Sequence, residues 1–189
     1  MNFPLILGVS ARHLHLSASD MAKLFGEETE LHPKKYIKQP GQYAAEEQVT
    51  LVTAKGKMNL RVIGPLRKAT QIELSMTDAR ALGLTPPIRI SGDIENSAGG
   101  LLVGPKGEVE LEKGIIIAAR HVHLCPATAS EYGLKNGDVV NVITTGERSL
   151  TFNNVPVRTG EGHADEFHID TDEANACGLV NGVTIEVSK

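Results

Sequence analysis

The 189-residue sequence predicts a mainly β fold with short helices, arranged as two related β-barrel domains that arose by internal duplication. Three observations carry that expectation. Runs of β-branched and other apolar residues are short, and they are separated by Gly, Pro and Asn at intervals too close for βαβ units. The phrase ARHLHL at positions 11–16 returns as ARHVHL at 119–124, so four of the seven histidines lie in two copies of one motif. Finally, GLKNGDVVNV (133–142) resembles GLVNGVTIEV (178–187), and TDARALGL (77–84) resembles TDEANACGL (171–179). Chance recurrence of a rare residue with the same neighbours is improbable, and duplication accounts for the repeats together.

The first strand is expected over Leu5–Leu16, after which Ser17 opens a helical phrase running to Phe25 and closed by Gly26. Strands follow at Gln48–Thr53, Leu60–Ile63 and Gln71–Leu74, then a helix at Thr77–Leu82 and a strand at Ile88–Ile90. The turn-rich phrase GDIENSAGG divides the chain into residues 1–93 and 94–189, with some strands crossing between the halves. In the second half come a strand at Gly114–Leu124, a helix at Pro126–Tyr132 and a strand at Asp138–Thr144. A short strand in EFHID leads to a helix at Thr171–Cys177, and Val183–Val187 is the last strand. Each helix opens on Ser, Thr, Asp or Pro and closes just before Gly, the residue that enters the left-handed C′ position without a Cβ penalty.

Composition narrows the function. Hydrophobic residues make up 41% of the chain, enough for a core. The longest apolar runs, FPLILGV and GIIIAA, fall far short of the ~20 residues that span a bilayer, and no signal peptide is evident. Neither membrane nor secretion is indicated. Cys125 and Cys177 lie in dissimilar contexts, so reduced thiols are expected. A net charge of −4 argues against a general nucleic-acid binder. Between Gln48 and Ile72, however, Lys55, Lys57, Arg61, Arg67 and Lys68 occur with no acid among them. That island suits a small polyanion, or is simply a solvated basic hairpin.

In a strand, side chains alternate faces, so His13 and His15 point the same way, as do His121 and His123. Two imidazoles at that spacing can share a metal ion. Further ligands are sought on the strand before each Thr-Asp phrase, where Glu73 and His168 occur, one residue out of register when the Thr-Asp pairs are aligned. Mixed imidazole and carboxylate ligation suits Zn²⁺ and similar first-row ions. His32 and His163 have no repeat partner and read as surface residues of loops. Cys125 shares the parity of the second pair but matches Ser17 in the repeat, which suggests a cap, and Cys177 reads as core.

The segments GVSARHLHLS, PKKYIKQPGQYAAEEQVTLV, GPLRKATQIELSMTDARALG, SGDIE, GPKGEVELEKGIIIAARHVHLCP and FHIDTDEANACGL are similar to the PduL-type phosphotransacylases, also called phosphate propanoyltransferases. The similarity runs from about Pro4 to Gly182. It implies two β-barrel domains, two zinc ions per chain, and reversible acyl transfer between coenzyme A and inorganic phosphate. By the same resemblance, Glu73, His121, His123 and His168 hold one zinc, and His13 and His15 hold a second with open positions. Arg67 matches a phosphate-binding arginine, and Val9, Ser10, Ala11, Lys55, Arg61 and Asn175 match coenzyme A contacts. The family usually has Asn where this chain has Ala11, so a contact there runs through backbone.

The basic island and the resemblance meet at this chemistry, because coenzyme A and phosphate are both small polyanions. The expected mechanism is direct attack of phosphate on the thioester carbonyl. Arg67 orients the nucleophile, and His13 and His15 hold the open zinc that stabilises oxyanion or departing thiolate. The partners are then short-chain acyl-CoA (acetyl or propanoyl), phosphate and acyl phosphate. Two other readings compete: a zinc hydrolase, and a non-catalytic metal-stabilised β-barrel. Family members associated with bacterial microcompartments can carry an N-terminal targeting extension. The first strand here begins by Pro4, so a cytoplasmic location is expected, and exposed strand faces allow a homodimer.

Overall fold

The computed structural model describes residues 2–189. In chain order these form β1 (Asn2–Ser10), β2 (His13–His15), α1 (Ala18–Phe25), β3 (Pro33–Tyr36), β4 (Tyr43–Val52), β5 (Lys57–Gly64), β6 (Gln71–Leu74), α2 (Met76–Ala81) and β7 (Ile88–Arg89). There follow β8 (Ala98–Val103), β9 (Glu108–Ala118), β10 (His121–Leu124), α3 (Pro126–Glu131), β11 (Val139–Ile143), β12 (Thr151–Thr159), β13 (Glu166–Asp170), α4 (Thr171–Cys177) and β14 (Thr184–Ser188). The fold is mainly β, as the sequence predicts. No described helix is long and apolar enough to cross a membrane.

The chain divides into two compact units, one of Ala11–Ala118 and the other of the segment up to Ser10 with Ala119–Lys189. In the first, β4-β5-β2-β6-β9 lie side by side and β8 pairs with both β9 and β4, which closes a six-stranded ring with β3 and β7 outside it. In the second, β1-β13-β10-β12-β11-β14 form a closed barrel. The two rings match pair for pair. β2 runs parallel to β5 and antiparallel to β6, as β10 does to β12 and β13. β9 is parallel to β6 as β1 is to β13, and the three remaining pairs in each ring are antiparallel.

The strand before each His-X-His pair belongs to the other ring: β1 closes the barrel that holds β10, and β9 closes the one that holds β2. The expected long strands Leu5–Leu16 and Gly114–Leu124 are therefore each broken, with the chain leaving one sheet at Ser10 or Ala118 and entering the next at His13 or His121. The observed division also differs from a single cut after residue 93, since the first ring takes β8 and β9 from beyond that cut and the second takes β1 from before it.

Each unit has its own core. Leu14, Leu16, Leu60, Val62, Ile72 and Ile115 are fully buried in one, and Leu7, Val122, Leu124, Val155 and Phe167 in the other. Each such side chain contributes roughly 1.5–3 kcal/mol relative to exposure, and Leu14 and Val122 thereby pin the two His-X-His strands with a known face inward. Three of the four helices after the ligand strands have side-chain caps. Ser17 Oγ accepts from Asp20 N, Ser75 Oγ from Asp78 N, and Asp170 forms a capping box with Glu173. Helix α4 ends at Gly178 in the left-handed conformation (φ 68°). Cys125 stands at the N-cap of α3 without a side-chain capping bond, its backbone N–H donating to Asp165 instead. Cys177 is buried in the core.

Candidate metal centres

Across the antiparallel pair β2–β6, His13 lies opposite Glu73, and across β10–β13, His121 lies opposite His168. With Leu14 and Val122 turned into the cores, the histidines face the other way. This brings together His13, His15 and Glu73 in one unit, and His121, His123 and His168 in the other, with the donor atoms of each trio within 4.8 Å of one another. The grouping is three and three, whereas the resemblance implied four and two: Glu73 lies with His13 and His15.

The one-residue offset seen on aligning the Thr-Asp phrases disappears when the helix caps are aligned instead. Glu73 precedes the cap Ser75 by two residues, as His168 precedes the cap Asp170. Three residues past each cap stands an acid held by the arginine of the repeated phrase: Arg12 to Asp78 at 2.9 Å, and Arg120 to Glu173 at 2.8 Å. Arg120 also lies over the Phe152 ring, 5.4 Å from its centroid. Every position of ARHLHL and ARHVHL thus has a task. The Ala carbonyl takes a histidine N–H, Arg ties down the neighbouring helix, the histidines face out, and the residue between them and the final Leu fill the core.

In the first trio, the ring N–H at Nδ1 of His13 donates to Ala11 O (2.8 Å) and that of His15 to Ile63 O (3.0 Å). Each bond fixes the tautomer and leaves the lone pair at Nε2. Those Nε2 atoms lie 3.5 and 3.9 Å from the Glu73 carboxylate. Glu73 Oε1 also accepts from Gln71 Nε2 (2.7 Å) and Ser91 Oγ (2.8 Å). Burial, then the neighbouring His13 and Arg67, lower the His15 pKa to about 3. Burial would raise that of Glu73, but His13 and His15, the Ser91 hydroxyl and Arg67 together hold it at about 2. At neutral pH His15 is therefore a neutral imidazole and Glu73 an ionised carboxylate, the protonation states that cation binding requires.

The second trio repeats the device once, with His121 Nδ1 donating to Ala119 O at 2.9 Å. His123 differs. Both its ring nitrogens are buried without a hydrogen-bond partner, an arrangement that costs stability unless something ligates them. Its pKa is lowered to about 2, by burial first and then by His121, His168, His163 and Arg158. His168 Nε2 lies 3.0 Å from Glu166 Oε2. Convergent nitrogen donors, one from each ring and that of His123 without another partner, fit a first-row divalent ion.

His163, expected at the surface, is half-buried and stacks on His123 with ring centroids 4.3 Å apart and planes 16° from parallel. Neither it nor Glu166 carried a repeat signal for His-X-His reasoning to use. His32 is exposed, as expected, and bonds Glu47 at 2.7 Å.

The basic island is not one patch. Lys55 lies in the β4–β5 turn, with its side chain packed over Gly83. Arg61 lies four residues along β5 from Lys57, about 13 Å at ~3.3 Å per residue, and donates to Ala45 O (2.7 Å) and Glu46 O (3.3 Å). Arg61 is nevertheless the β5 neighbour of His13 in register, and Arg67 is joined to the first trio by a hydrogen bond: its Nη1 donates to Ser91 Oγ (3.1 Å), the hydroxyl that donates to Glu73. It also lines a pocket of about 260 Å³ with Pro40, Gly41, Gln42, Gly64 and Pro65. In the other unit, Val9 and Ser10 lie beside Ile169 and Asp170 on β13, and Asn175 is exposed on α4. Ala11 offers its carbonyl to His13.

A family model described as phosphate propanoyltransferase matches residues 6–180. A phosphate propanoyltransferase of Thermotoga maritima is 53% identical over 180 residues, covering 94% of this chain and 86% of the relative. Those of Rhodopseudomonas palustris and Salmonella typhimurium are each 49% identical, the first covering 99% of this chain and 83% of the relative, the second 94% and 85%. Similarity at this level extends through both barrels and both histidine pairs, and the chain belongs to the phosphate propanoyltransferase family.

Proposed function

We propose that the protein is a zinc-dependent phosphate acyltransferase that interconverts short-chain acyl-CoA plus phosphate with acyl phosphate plus coenzyme A, in the cytoplasm. The observation that carries this reading is the first trio, where two imidazoles and a carboxylate converge in one unit and Arg67 is joined to them through Ser91. His13, His15 and Glu73 would hold one zinc, and His121, His123 and His168 a second. A divalent ion so held supplies Lewis acidity toward an acyl carbonyl and affinity for a departing thiolate.

The chain's own residues do the rest. The backbone carbonyls of Ala11 and Ile63 fix the tautomers of His13 and His15, so that each Nε2 presents a lone pair. The Arg67 guanidinium, with its planar fork of N–H donors, orients phosphate for attack and offsets its charge. The pocket that Arg67 lines admits an anion from solvent. No serine or cysteine nucleophile is needed, since phosphate itself attacks. Coenzyme A is proposed to use the backbone at Val9, Ser10 and Ala11, with Lys55, Arg61 and Asn175.

The test is formation of thioester absorbance from acetyl or propanoyl phosphate and coenzyme A, with and without prior chelation. Transfer that depends on coenzyme A and is lost on chelation is expected. Release of free carboxylate at a rate indifferent to coenzyme A would instead favour a hydrolase, and full activity after complete metal removal would remove zinc from the account.

A further inference from the structure

Residues 71 and 166 occupy the same place in the two barrels. Gln71 lies opposite His15 across β2–β6, and Glu166 lies opposite His123 across β10–β13. Each stands two residues before the third donor of its trio, hence on the same strand face. Each is buried, Gln71 at 2% and Glu166 at 7% exposure. Each touches that donor: Gln71 Nε2 donates to Glu73 Oε1 at 2.7 Å, and His168 Nε2 is 3.0 Å from Glu166 Oε2. The chemistry is inverted to suit. A carboxylate donor is held by an amide N–H, and an imidazole donor is held by an acceptor for its N–H.

We infer that Gln71 and Glu166 are equivalent positioning residues, each setting the orientation of the third ligand of its centre; this rests on the metal reading above. Glu166 stands outside the group of three converging donors, so it acts on His168 and not as a ligand in this arrangement. By accepting a hydrogen bond from Nε2–H it assigns the lone pair to the other ring nitrogen. Gln71 is itself anchored, its Oε1 accepting from Gly92 N at 2.7 Å and its Nε2 also reaching Ser91 Oγ at 2.8 Å.

A second residue shows that space has been kept for Glu166. Gly8 on β1 pairs with His168, and a Cβ at Gly8 would come within 2.8 Å of Glu166 Cδ and 2.9 Å of its Oε1. Glycine at this position, within the phrase GVSARHLH, leaves room for the carboxylate that reaches His168.

The experiment measures zinc affinity by competition with a chromophoric chelator, in the full chain carrying His13→Ala and His15→Ala so that only the His121 centre is read. Adding Glu166→Ala is expected to weaken zinc binding about 10–100-fold. Glu166→Gln keeps an acceptor oxygen and should recover most of that loss, while Gly8→Ala, which displaces the carboxylate, should reproduce it. The reciprocal set, Gln71→Ala on a His121→Ala/His123→Ala background, should weaken the other centre alike. Melting of the metal-free forms separates positioning from folding: expected are affinity losses with metal-free melting near that of the background. Unchanged affinity in Glu166→Ala, or an equal loss in Glu166→Gln, overturns the inference while leaving the centres standing. A parent chain that takes up no zinc overturns the centres and this inference together.

Discussion

The two candidate centres share one register and differ in what fills it. In the barrel of β2 the third donor is a carboxylate, Glu73, and an arginine is joined to it through Ser91. In the barrel of β10 the third donor is an imidazole, His168, and the neighbours are His163, stacked on His123, and Glu166. Duplication supplied two identical frames, and divergence acted on the donors and on the residues just behind them. The frame is common to both; under the function proposed above the centre with Arg67 takes the anion, although an arginine, Arg158, also stands beside His123 in the other.

That contrast sets the order of expected effects. The largest falls on the ligands. His13→Ala is expected to lower acyl transfer more than ~100-fold, because loss of outer partners alone costs about 10–100-fold; kinetics at saturating acyl-CoA check it, and a loss below tenfold would detach this centre from the chemistry. Arg67→Ala comes next. Phosphorolysis should fall roughly 10²–10³-fold, as for loss of one preorganised charge-stabilising donor, with zinc content unchanged. Arg67→Lys should recover part, since lysine keeps the charge but not the fork. Arg158 offers the comparison in the other unit, paired with His123 across β10–β12, and Arg158→Ala should leave the phosphate dependence within about twofold. Equal effects at the two arginines would erase the asymmetry.

A smaller effect concerns pH. His15 and His123 have folded pKa values lowered to about 3 and about 2, below their unfolded value of 6.5. Between those limits the unfolded chain binds more protons, so metal-free stability is whole above about pH 6.5 and falls as pH drops, by about 1.4 kcal/mol per pH unit per histidine at most. Glu73, lowered to about 2 from 4.5, adds a loss of the same sign only below about pH 4.5. Denaturant unfolding between pH 5 and 7 should show a slope that His15→Asn and His123→Asn each reduce, by about one proton near pH 5 and by roughly a quarter of a proton near pH 7. A slope unaltered by either substitution would mean that these imidazoles are not held neutral.

Much of this was legible in the residues. The His-X-His pairs, their face, Glu73 and His168, and the four helices all follow from alternation, repetition and capping. Three strands did not. Strand β3 is exposed throughout, so it lacks an alternating pattern. Strand β8 begins AGG, and a side chain at Gly99 would meet Leu111 O at 2.1 Å, so close backbone approach took the place of β-branched residues. Strand β12 reads TFNNVPVRT, with asparagines and a proline that read as loop. The exchange of β1 and β9 was hidden because Ser10–Arg12 and Ala118–Arg120 do not interrupt the apolar pattern enough to show a change of sheet. Aligning the helices on Thr-Asp left Glu73 and His168 one residue out of register, an offset that the helix caps and the strand pairing remove. His163 is brought to His123 by tertiary packing, for which the repeat gives no cue, whereas Glu166 reaches His168 through strand alternation but differs in type from Gln71 at the equivalent position.

The central claim is that each barrel builds its own three-donor metal centre, and counting zinc per chain tests it most directly. Elemental analysis of purified protein should give two equivalents for wild type, one for His13→Ala/His15→Ala and one for His121→Ala/His123→Ala. A single equivalent in wild type that either double substitution abolishes would mean that the six residues serve one shared ion, and the account of two parallel centres would be wrong.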